Sequence, residues 1–189
     1  MAVTLSWDLF VAVFFTVIIA YSFIIGKNNT LKIIIGTYIA VLAADGLGNL
    51  IQQYVFGQSP VLQVLPAAFE DRALILLKII VFIIAIVLIA VRGGFFVDIA
   101  EEETAIGRLI AIFCFGFLSA GLIVSTILMY VSGFSFVEGT SDIALSPVFD
   151  LYKQSQMVQI MINNYNVWFS LPAIAFVAMS LIGGGARGK

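Results

Sequence analysis

Four apolar runs, each about as long as a bilayer's hydrocarbon core is thick, constrain this chain more than any other feature. They cover residues 9–26, 31–53, 73–91 and 109–131. A helix needs roughly 20 apolar residues to cross that core. A fifth run, 167–183, is at the lower limit of length, and Pro172 kinks it or shortens its first turn. Of 189 residues, 62% are hydrophobic and 11% charged, where a soluble domain is nearer half apolar and a quarter charged. The expected fold is all-α: one membrane domain over 1–189, a helical bundle of four to five transmembrane helices plus an amphipathic surface helix at about 147–162.

Composition also excludes chemistry. There is no histidine, which removes the commonest general base and metal ligand. The single cysteine, Cys114, can form neither an intrachain disulfide nor a zinc site from cysteine alone. No nucleophile–base pair, nucleotide loop or metal cluster stands out, so no enzyme activity, cofactor or metal is expected. The net charge is −2, with no basic cluster of four or more. That argues against nucleic acid as a partner and leaves the lipid bilayer, a second copy or other membrane subunits. Residues 1–8 contain no Lys or Arg and do contain Asp8, so the first run reads as a retained membrane helix, not a cleaved signal.

Along the chain, Trp7 marks an interface, and Thr16, Tyr21 and Ser22 are candidate contacts to a neighbouring helix. Lys27-Asn28-Asn29-Thr30 reads as a tight turn capped by Thr30, making the first two helices antiparallel neighbours. Gly36, Ala40, Ala44 and Gly48 recur every four residues. That spacing predicts a face of small side chains packing on the first or fourth helix in preference to a homo-oligomer seam. Between Gln52 and Arg72 a loop is expected, with a short interfacial or re-entrant piece at Val61–Phe69. The third helix has almost no small residues and suits lipid contact. Asp98 with Glu101 fits a helix cap, and Glu101–Glu103 fit the first turn of a helix leading into the fourth span, not a metal site. On that span Gly107, Ala111, Cys114, Gly121, Ser125 and Ser132 form a stripe, with Gly116 and Ala120 as a second small pair. It is expected to be the central helix, with Cys114 a packing residue. Ser146-Pro147 opens the surface helix, which Asn163-Asn164-Tyr165-Asn166 interrupts.

One stretch breaks the apolar pattern. Asp45-Gly46-Leu47-Gly48-Asn49 puts an acid deep in the second run, and Asn49 lies one turn on along the same face. Lys78 is the one cation well inside an apolar run. Taking helix ends near Gln53 and Arg72, Asp45 is about 12 Å and Lys78 about 9 Å from the same membrane face. Similar depth on consecutive helices predicts an Asp45–Lys78 pair, because either charge alone is costly in lipid. Three readings compete: a structural ion pair completed by Asn49, a proton or cation site in a wet cavity, and a snorkelling Lys78 beside a protonated Asp45. The first is preferred.

With five spans, Lys27, Lys32, Arg92, Arg108, Arg187 and Lys189 fall on one side, against Arg72 and Lys153 on the other. The charge bias puts the first set in the cytoplasm of a cell with an inner (plasma) membrane, the N-terminus outside and the C-terminus inside.

The layout resembles the colicin V production protein family of bacterial inner-membrane proteins. The resemblance rests on Trp7-Asp8 before the first span, the Gly26-Lys27 turn, a Gly/Ala-rich second span and a third span ending in Arg92. It extends through a fourth span with Gly107, Gly116, Gly121 and Ser125 to the Ser146-Pro147 start of an outer helix. It covers about residues 7–162 and departs from the family in its weak basic stretch after the first span. It implies a part in secretion and envelope integrity without an assigned chemical activity; the preferred reading of the chain is a non-enzymatic structural or accessory subunit of such an assembly. A channel or transporter component using Asp45, Asn49 and Lys78 is the alternative.

Overall fold

The computed structural model describes residues 6–56, 67–93, 97, 104–134 and 149–184. The regular elements among them are all helical: α1 (Trp7–Ile25), α2 (Lys27–Ile51), α3 (Ala67–Arg92), α4 (Ala105–Val131), α5 (Phe149–Gln154), α6 (Gln156–Asn163) and α7 (Tyr165–Gly184). Among the described residues, four helices are long and apolar enough to cross a membrane, and the bent pair α6–α7 brings the number to as many as five.

The caps explain where the helices begin and end. Ser6 caps α1 by accepting from the Leu9 amide. Gly26 alone makes the turn into α2. Its φ of +81° needs a glycine, and its N–H closes α1 on the Ser22 carbonyl. The expected Lys27–Thr30 turn is therefore the first turn of α2. Thr30 is not its cap, and its hydroxyl donates back to the Gly26 carbonyl at 2.9 Å. Thr104 caps α4, so Glu101–Glu103 precede that helix; with Asp98 they lie outside the described residues. At the far end of α4, Gly133 is left-handed, with its N–H on Tyr130 and that of Phe134 on Met129. That paired closure turns the chain sharply.

The core gathers around α4. It packs on α1, α2, α3, α6 and α7, which agrees with its expected central place. α1 packs more on α4 than on α2, so the single-residue turn does not make α2 its main neighbour. Gly116 lets α1 approach: a β-carbon there would stand 2.9 Å from Ser22. Ala120 is fully buried, and Ser125 is buried with its hydroxyl 3.4 Å from the Met161 sulfur of α6. Two members of the expected stripe behave otherwise. Cys114 is exposed on the outer face, because the buried side of α4 follows Ile112, Phe115, Ser119 and Leu122. Gly107 serves the cap, its N–H donating to Thr104 Oγ1.

The small face of α2 is buried throughout, covered by α3 as well as by the expected α4. A β-carbon on Gly36 would meet Ile89 Cγ2 at 2.6 Å. Ala40 and Ala44 pack with Phe82 of α3 and Tyr130 of α4. Periodicity identifies the face and says nothing of which helix covers it. Elsewhere α3 is exposed along Leu76, Ile80, Ile83, Ile84, Val87 and Leu88, as its lipid-suited sequence predicts. Thr16 and Ser22 bond to carbonyls of their own helix, Ala12 and Ile18, and not across to a neighbour.

The expected surface helix is two helices. Ser155 ends α5 and caps α6. α6 buries Val158, Met161 and Ile162 against Val11, Val124 and Leu128, so it is seated in the bundle. Asn164 then breaks the chain, and α7 leaves at 63° to α6. The Tyr165 ring lies tilted against Phe134, Trp168 lies on Gly121, and Phe176 and Met179 join the cluster of Leu31 and Ile34. α7 thus runs from the end of the bundle where α4 stops toward the end where α2 starts. Pro172 is accommodated within it and buried. The 61–66 part of the expected re-entrant piece, the Ser146-Pro147 helix start and the basic tail at 185–189 lie outside the described residues.

Candidate functional site

The predicted pair forms. Lys78 Nζ stands 2.9 Å from Asp45 Oδ1; Asp45 is 0% and Lys78 11% exposed. Two features of α2 and α3 place the pair farther from the helix ends than the sequence suggests. α2 does not stop at Ile51 but continues as a wider π-helical segment, Gln52–Phe56, and α3 begins at Ala67. Asp45 is therefore eleven residues before the end of its helical run, and Lys78 eleven after the start of its own. Equal distances from the same end keep the two charges level.

Local sequence builds the contact. Asp45 and Gly48 are three residues apart, on one face of α2. A β-carbon on Gly48 would meet Lys78 Cε at 2.6 Å and Cγ at 2.8 Å. The bare backbone at Gly48 is thus a trough for the lysine stem, which lies along α2 and delivers its ammonium to Asp45. Gly46 has no such role: it is exposed, with nothing within 4 Å of a β-carbon. Below the pair, Ala44, Val41, Phe82 and Tyr130 are buried. The Tyr130 hydroxyl donates to the Val41 carbonyl at 3.1 Å. Two unit charges enclosed by apolar side chains attract far more strongly than in water, and removing one strands the other.

Asn49 is near the pair, but its part differs from the expected one. Its Oδ1 is buried and has no hydrogen-bond partner among the described residues. Among those residues no group of three or more Cys, Asp or Glu side chains could hold a metal ion. The pair itself can neutralise charge, fix the register of α2 on α3, or exchange protons where water reaches it.

A second polar contact escaped the sequence. Asp8, in the first turn of α1, accepts from the Ser155 hydroxyl and, at 3.0 Å, from the Met157 amide. Ser155 Oγ in turn accepts from the Val158 amide at 3.1 Å. A carboxylate from α1 thus completes the cap of α6, where the helix dipole favours an anion. The one signal for it is that an acid precedes the first span and a serine precedes an apolar turn; nothing in the spacing links positions 147 residues apart.

The chain matches no protein-family model, no curated protein and no solved structure.

Proposed function

We propose that this chain is a non-enzymatic, multi-pass membrane protein that serves as a structural or accessory subunit of a membrane assembly. Secretion or envelope maintenance in a bacterial inner membrane is the setting that the resemblance to the colicin V production protein family suggests. The observation that carries the reading is the enclosure of Asp45: a fully buried carboxylate held by a lysine whose stem has a glycine trough of its own. A site built for passage opens its charges to both sides of the membrane in turn, whereas one built for architecture keeps them paired and closed on at least one side. The lipid-suited faces of α1 and α3 leave room for neighbouring subunits or a second copy. The basic residues Lys27, Lys32, Arg92 and Arg108 orient the turn before α2 and the start of α4 toward the cytoplasm, with the N-terminus outside.

The test is purification of the full chain in mild detergent with identification of what travels with it. A stable oligomer or a reproducible set of membrane partners supports the subunit reading. A lone monomer with no partner contradicts it. The competing reading, a channel or transporter component, has one observation in its favour: the unpartnered Asn49 Oδ1 beside the pair.

A further inference from the structure

We propose that Asp45, Asn49 and Gln53 form a water-holding inlet along α2 that opens the Asp45–Lys78 pair to proton exchange with the side of the membrane on which α2 ends. The inlet adds one-sided access to the pair and does not rest on the subunit reading.

The three residues are spaced by four and follow one face of the helix toward its end. Their exposure rises in order: Asp45 is fully buried, Asn49 half-buried and Gln53 exposed. The π-helical segment begins at Gln52, and Gln52, Gln53 and Tyr54 are all exposed. The polar stripe therefore ends at a wide, exposed turn and starts at the ion pair.

Between those ends sits the unsatisfied atom. Asn49 Oδ1 is an acceptor buried from solvent with no donor among the described residues. A buried amide oxygen is seldom left unpaired. Its nearest chemical complement is a donor no larger than water. The Lys78 ammonium carries three N–H groups, so a water lying between Asn49 and the lysine has a donor to accept from and an acceptor to donate to. The Gly48 trough is filled by the lysine stem, which leaves no room for water there. The ligand is water, with hydronium as its protonated form. Exchange transfers a proton from the ammonium to that water while another returns from it, so no net charge moves. Access from one side supplies exchange without conduction.

The experiment uses the full chain in liposomes with Cys114→Ser as background. Single cysteines replace Gln53, Asn49 or Leu47, the last being 47% exposed on an apolar side of α2 with Leu50. A membrane-impermeant methanethiosulfonate reacts with thiolate, which forms only where water reaches. Asn49→Cys is expected to react at least about tenfold faster than Leu47→Cys, approaching Gln53→Cys. Reaction of Asn49→Cys no faster than Leu47→Cys overturns the inlet. If Asn49→Cys does not fold, solid-state NMR on the unsubstituted chain decides: a cross-peak between water protons and the Lys78 ammonium supports the inlet, and its absence overturns it.

Discussion

Gly48 and Lys78 fit each other as trough and stem: a β-carbon on the glycine would stand 2.6 Å from the lysine's Cε. The glycine therefore belongs to the ion pair, although it carries no charge. Gly48→Val is expected to push the stem aside, pull the ammonium off Asp45 and lower stability by about 1–3 kcal/mol, the usual range for overpacking. Gly46→Ala, two residues away in open space, is expected to raise stability by roughly 0.5–1 kcal/mol through helix propensity alone. Unfolding in a denaturing detergent, followed by circular dichroism, reads both. Equal effects of the two substitutions would show that the trough is incidental.

A second glycine supports α7. A β-carbon on Gly121 would lie 2.1 Å from Cε3 of the Trp168 ring, and a rigid indole cannot yield as a lysine stem can. Gly121→Ala is expected to displace α7 and cost about 1–3 kcal/mol. In a Trp7→Phe background Trp168 is the only tryptophan, so its fluorescence reports the move as a change in emission maximum. An unchanged spectrum with unchanged stability counts against this packing.

Asp8 ties α1 to α6. Asp8→Ala removes the acceptor for the Ser155 hydroxyl and the Met157 amide. Amide exchange at Met157 and Val158 is expected to rise, with no change in α2 or α3. Ser155→Ala, which removes the cap itself, is expected to cost about 1 kcal/mol. Exchange that stays at its original rate in Asp8→Ala would mean that α6 is held by its apolar face alone.

The ion pair was legible in the sequence because helical rise is fixed. Two charges at similar distances from a shared membrane face come level whatever the side chains between them. The small face of α2 was legible too, and α4 covers part of it through Tyr130 as expected, but α3 shares it, since small residues admit any helix backbone. The length of helix beyond the pair was underestimated. Gln52–Phe56 carries no signature of a π-helical turn, and Pro60, Pro66 and the charged run at 70–72 made the whole of 52–72 read as loop. Cys114 was misplaced because a stripe of small residues drawn by spacing alone drifts off the side that bulky Phe115 and Leu122 bury. The Asp8–Ser155 contact depends on how α6 is seated in the bundle, which no local pattern records.

The central claim is that Asp45 and Lys78 hold α2 on α3 as a pair. A double-mutant cycle with Asp45→Asn, Lys78→Leu and both together, scored by detergent unfolding, tests it most directly. Each single substitution strands a buried charge or breaks its pairing and is expected to cost about 3–5 kcal/mol, while the double variant is more stable than either. Costs that simply add in the double variant would contradict the account.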